Sequence, residues 1–298
     1  MIALIIATVF AALFSILFKI FQLKGIDSKQ AIVFNYVTAF ILGVVLSLSK
    51  SGPVMVNPLK ESWMPWALAL GIFFYLGMIF LSFSTKVSGV AVSTVASRAS
   101  MIIPITICFL FIAGSAQPKW LAIAVVLVGL GLTVWVKGKG GQSDSVFTKI
   151  IAPISVFICF GITNSGMKLL QNVITVSSKS LGDSILNQKL SMLSATIFMS
   201  ALIVGTVVYF CGSKENRKPF RPANLVGGIS LGVVNYFCTY TLMIAMKTID
   251  SSILFPFHNV GIVAIGTLVG WLWFKEKLTI QQIIGMLIAV AAICWMYI

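Results

Sequence analysis

Few side chains in this sequence can do chemistry, and the most informative is Arg98. It sits near the middle of an apolar run, with Ser93, Thr94, Ser97 and Ser100 around it. A charge at such a depth costs several kcal/mol unless it is paired or wet, so Arg98 is expected to face a bundle interior or a cavity. Guanidinium stays charged and grips carboxylates or phosphates through two parallel hydrogen bonds, which makes Arg98 a candidate anchor for an acidic group. The alternative is a structural tie to backbone carbonyls. His258 and Asn259 form a second cluster, and His258 is the single histidine. Its imidazole could contact a ligand or carry a proton near neutral pH, or serve as a neutral hydrogen-bonding group.

The acidic residues inform by where they are not. All seven, Asp27, Glu61, Asp144, Asp183, Glu215, Asp250 and Glu276, fall between apolar runs or at their ends. Lipophilic-cation exporters need a buried carboxylate to attract their cargo. A mid-run Arg without one favours an anionic or zwitterionic ligand. Tyr75, Tyr236, Asn235 and Asn35 are further candidates for a cavity wall, the tyrosines offering a ring face and a hydroxyl. Interhelical hydrogen bonding is the competing role. Lys19, Lys168, Lys86 and Lys247 lie near run ends and are candidate gates or interfacial anchors.

The elements that position these groups follow from hydropathy. The chain of 298 residues is 59% hydrophobic and 9% charged, with mean hydropathy +1.05. Soluble proteins carry about 25% charged residues. A bilayer core needs about 20 apolar residues per helix, and ten segments qualify: 2–23, 30–49, 65–85, 88–112, 118–137, 147–170, 187–210, 224–246, 251–274 and 279–298. The expected fold is all-α, a polytopic transmembrane helix bundle. Asp250 is predicted to cap the ninth segment, and Thr279 with Gln282 forms a capping box at the tenth. Segment 171–186 reads as a polar loop.

The formal charge of +14 does not indicate nucleic acid, because the 21 Lys and Arg are scattered through short loops rather than gathered on one face. Loops 1–2, 3–4, 5–6, 7–8 and 9–10 carry 13 of them and the opposite set 7. The positive-inside rule then puts both termini outside the cytoplasm, in a bacterial inner membrane. The five cysteines have no metal-ligand spacing, and neither a catalytic pattern, an ATP-binding GxxxxGK[ST] nor a cofactor motif occurs. The expected partners are a small-molecule metabolite and membrane lipid, with no nucleic acid and no cofactor, for a chain acting as a monomer. An intramembrane enzyme, and a channel or lipid scramblase, are the competing classes.

The Gly-rich stretch 138–146 divides the chain into 1–137 and 147–298, and the two parts resemble each other. Residues 70–86 align without gaps on 231–247, matching Leu70/Leu231, Gly71/Gly232, Tyr75/Tyr236, Leu81/Leu242 and Lys86/Lys247. The same offset sets Ser97 and Arg98 on His258 and Asn259. Five segments per half is an odd number, so the second half enters the membrane inverted, as in transporters that hold substrate near the midplane between repeats. With Phe274-Lys275-Glu276-Lys277-Leu278-Thr279 and Gly285 in the second half, and Pro104 and Gly129 in the first, the chain resembles the EamA-type members of the drug/metabolite transporter superfamily. Gly114-Ser115 departs from that pattern by lacking the Glu. The resemblance implies ten spans in two inverted repeats and secondary transport of a metabolite.

Overall fold

The computed structural model describes residues 1–49, 57–88, 90–112, 114–134, 146–211, 221–275 and 279–297. These form eleven α-helices and one 3₁₀ turn, with no strand among the described residues. The helices are α1 (Ile2–Lys24), α2 (Ser28–Ser49), α3 (Met64–Val87), α4 (Val90–Ala99), α5 (Ile102–Phe111), α6 (Trp120–Val134), α7 (Val146–Ser177), α8 (Asp183–Cys211), α9 (Pro222–Ala245), α10 (Ser251–Leu272) and α11 (Ile280–Tyr297). Among the described residues, eight segments are long and apolar enough to cross a membrane, and Trp120–Leu132 and Ile280–Met296 are shorter apolar helices. Large apolar side chains such as Phe111, Leu121 and Leu287 are more than 60% exposed. Lipid tolerates such a surface and water does not, so the chain is an integral, multi-pass membrane protein.

Helix ends follow the local chemistry. Asp27 accepts from the Gln30 amide at 3.1 Å, and Asp250 Oδ1 accepts from the Ser252 amide at 2.8 Å. In the capping box, the Thr279 amide donates to Gln282 Oε1 at 2.9 Å and the Gln282 amide to Thr279 Oγ1 at 3.3 Å. Gly25, at φ +64°, ends α1 in a left-handed turn. There the Ile26 amide reaches back to the Phe21 carbonyl at 2.9 Å, a Schellman closure open to glycine at little cost.

Two expectations need correction. Segment 171–186 is mostly helix: α7 runs to Ser177 and α8 starts at Asp183, leaving only 178–182 between them. Span four is not one helix, since α4 stops at Ala99 and α5 starts at Ile102. Pro104, which has no amide hydrogen and whose ring opposes the Ser100 carbonyl four residues back, weakens the helix at this point. The chain tightens instead. The Met101 amide donates to Arg98 O at 3.2 Å and the Ile103 amide to Ser100 O at 3.1 Å, both three-residue steps.

The helices group into two compact units that do not coincide with the sequence halves. The first comprises Met1–Tyr75 and Leu170–Lys247, and the second Leu76–Leu169 and Thr248–Ile298. Within the first unit, α2 and α9 cross closely enough that a Cβ on Gly232 would meet Asn35 O at 2.6 Å. Antiparallel α2 and α8 are joined by Ser191 Oγ donating to Gly43 O at 3.1 Å and Ser47 Oγ to Gln188 O at 3.3 Å. Within the second unit, α6 and α11 run antiparallel. Gly129 faces Gly285 and Ala289 near their middles, and Lys119 Nζ reaches Trp295 O at 3.3 Å at one end.

Candidate functional site

In the second unit the break in span four sets the position of Arg98. The residue occupies the last turn of α4, where the negative end of the helix dipole favours a cation. Its Nη1 donates to Asn259 Oδ1 at 3.3 Å. Asn259 is in turn held by its Nδ2 donating to Phe255 O at 3.0 Å, one turn back on α10. The amide oxygen is thereby fixed toward the guanidinium. His258 is buried beside it, within electrostatic reach of Arg98.

Hydroxyls line the same helix. Ser100 Oγ donates to Ser97 O at 2.6 Å and Ser97 Oγ to Thr94 O at 3.0 Å. Ser84 and Ser93 share a 2.6 Å hydroxyl contact. Four predicted site residues, Ser97, Arg98, His258 and Asn259, are thus gathered where α4 meets α10. Arg98 and Asn259, 161 positions apart, are each other's counterparts under the repeat offset.

The first unit holds Asn35, Tyr75, Asn235 and Tyr236. Asn235 Nδ2 donates to Asn35 Oδ1 at 3.2 Å. Asn35 is fully buried, and its Nδ2 has no protein partner. Tyr236 shares a 2.6 Å hydrogen bond with Ser191 and stacks on Tyr240 with ring centroids 5.8 Å apart. Tyr75 lies 6.5 Å from the ring of Tyr36, whose hydroxyl reaches Phe74 O at 3.5 Å.

The lysines differ from one another. Lys19 is half-buried on α1. Lys168 is buried in α7 with Asp250 in electrostatic reach, which is not a snorkelling position. Lys247 reaches Asp183 at 3.2 Å, and the side chain of Lys86 lies outside the described residues. Sequence reasoning missed the ion pair of Lys189 with Glu61 at 2.8 Å, braced by Trp63 Nε1 donating to Glu61 Oε2 at 3.0 Å. The available signal was a lysine inside the seventh apolar run.

Comparison with known proteins fits this picture. Residues 169–298 match the model of the EamA-like transporter family. The resemblance to the drug/metabolite transporter superfamily seen in the sequence therefore holds, and members of that family are membrane transporters. An uncharacterized protein of Haemophilus influenzae is 28% identical over 299 residues, covering 99% of this chain and 97% of the relative. A solved crystal structure superposes with a TM-score of 0.73 at 14% identity, covering 98% of this chain and 94% of that one. At that identity the likeness speaks for the fold alone.

Proposed function

We propose that this protein is a secondary transporter that moves a small anionic or zwitterionic metabolite, such as an amino acid or a related compound, by alternating access between two inverted repeats. The observation that carries the reading is Arg98. A guanidinium at the middle of a broken span, in the last turn of α4, donates to the neutral oxygen of Asn259. Every carboxylate of the chain stands toward or beyond the span ends. Broken helices that direct their ends at a ligand are the usual site architecture of inverted-repeat transporters. Arg98 supplies the fork for a carboxylate or phosphate, while His258 and Ser97 supply neighbouring polar contacts.

The inverted repeat draws support from pairing within the units. Repeat-equivalent spans neighbour one another antiparallel in two cases, α2 with α8 and α6 with α11, and Arg98 on α4 bonds its repeat counterpart Asn259 on α10. A pseudo-twofold axis lying in the membrane plane produces that arrangement. The partners are then a metabolite and lipid, with no nucleic acid, no ATP and no catalytic step, for a monomer in a bacterial inner membrane with both termini outside the cytoplasm.

The test is counterflow in proteoliposomes. Vesicles loaded with single amino acids or organic acids are diluted into the same labelled compound without ATP. Transient, saturable accumulation that competes with unlabelled compound supports the reading. Non-saturating flux, or accumulation confined to lipophilic cations, contradicts it.

A further inference from the structure

We propose that a small cavity at the start of α10 holds the phosphate of an anionic phospholipid headgroup. The cavity, of about 130 Å³, lies within the second unit and is lined by Ala116, Gln117, Lys119, Ser252, Ile253 and Met296. Along α10 it sits six to seven residues from Asn259, roughly 10 Å at helical rise. It is therefore distinct from the Arg98 cluster.

Its chemistry is that of an anion pocket with a built wall. Lys119 is exposed and donates once, to Trp295 O at 3.3 Å, which orients an ammonium that has three donors. Gln117, also exposed, adds an amide. Ser252 is only 8% exposed, and its hydroxyl donates to Asp250 Oδ1 at 2.7 Å. That leaves the Ser252 oxygen to accept from a headgroup hydroxyl. The neighbouring carboxylate of Asp250 is already engaged. It accepts from the Ser252 amide at 2.8 Å and from the Ala116 amide at 3.0 Å, with Lys168 in electrostatic reach. Lys119 is the one charged side chain among the described residues that line the cavity.

The surroundings select lipid over a dissolved anion. The cavity opens where α6 begins and α11 ends, the level at which spans leave the hydrocarbon. Trp120 and Trp295 are exposed there at 42% and 45%, and Leu121 is exposed at 67%. Tryptophans at span ends sit at headgroup depth, so acyl chains attached to a bound phosphate would run down an apolar surface already present. A free phosphate would use Lys119 and ignore that surface.

The experiment titrates the full-length, detergent-purified protein with short-chain phosphatidylglycerol, phosphatidylcholine or inorganic phosphate and follows thermal stability. Phosphatidylglycerol should raise the melting temperature saturably, and the other two should not. Lys119→Gln should weaken the apparent affinity for phosphatidylglycerol about fivefold, the worth of one lysine at an anionic surface. Lys60→Gln removes an equal charge from the 3₁₀ turn and should leave affinity unchanged. Ile253→Trp fills the cavity with its lysine intact, and should weaken binding at least as much as Lys119→Gln; it stands in should that variant not fold. Three results each overturn the proposal. They are equal binding by parent and both cavity variants, equal weakening in Lys60→Gln, and a full shift by inorganic phosphate alone, which would make this a soluble-anion site.

Discussion

Replacing Arg98 by Gln separates an anchor for substrate from a strut for the fold. A charged residue at mid-span costs about 2.5–3.5 kcal/mol on insertion scales. The bond to Asn259, at 3.3 Å, lies beyond the usual range for a strong N–H···O contact, so it contributes about 1 kcal/mol. The carbonyl end of α4 adds about 1–2 kcal/mol in a partly buried setting. Cost and offset nearly cancel. A neutral amide at position 98 should therefore leave stability within about 1 kcal/mol, a melting shift of about 2–4 °C at most. Loss of a charge-assisted bond to a substrate carboxylate should cost about 1.5–3 kcal/mol, or ten- to a hundredfold in affinity. Arg98→Lys should fall between, since it keeps the charge but not the planar fork. Affinity and melting temperature are read on the same preparations, with the best ligand from a thermal-shift screen of amino acids, organic acids and lipophilic cations. Undiminished ligand affinity in Arg98→Gln would refute the argument, as would a lipophilic cation emerging as the tightest ligand. A large loss of stability accompanying the loss of binding would make Arg98 the strut.

Other outcomes follow from the packing. Gly129→Ala should destabilise by more than 1 kcal/mol, because its Cβ would meet Gly285 O at 2.7 Å and Ala289 N at 2.8 Å, tighter than a packed core relieves cheaply. Gly131→Ala, with nothing within 4 Å, should be neutral or stabilise by about 0.5–1 kcal/mol, as glycine removal inside a helix does; thermal unfolding checks both. Glu61→Gln should cost about 1.5–3 kcal/mol, since it strips the counter-charge from Lys189, whose side chain is 11% exposed. Exchanging the two residues should recover part of that loss in the same assay. In a cysteine-free background, Lys24→Cys should label from the cytoplasmic side and Lys179→Cys from the opposite side. The reverse pattern would overturn the orientation read from loop charge.

What could be read from the chain alone was what depends on neighbours in sequence. The apolar runs that became helices, the cap at Asp250 and the box at Thr279 and Gln282 all rest on contacts within a few residues. Those contacts form whatever the rest of the molecule does. The mid-span position of Arg98 and the absence of mid-span carboxylates were equally legible, because hydropathy fixes depth. Proline was not decisive on its own. Pro104 accompanies a break in span four, whereas Pro153 and Pro256 lie inside continuous helices. Whether a helix gives way depends on which groups nearby re-satisfy the freed carbonyls, and that is a property of packing. Contacts between distant residues were likewise out of reach. The pairing of Arg98 with Asn259, of Lys189 with Glu61, and of Asn35 with Asn235 spans 161, 128 and 200 positions. Periodicity shows that a face is polar and leaves open which partner it meets. The two halves read along the chain are also interleaved in space, since each compact unit draws helices from both. Burial of complementary helix faces chooses those neighbours, and a one-dimensional pattern carries no record of that choice.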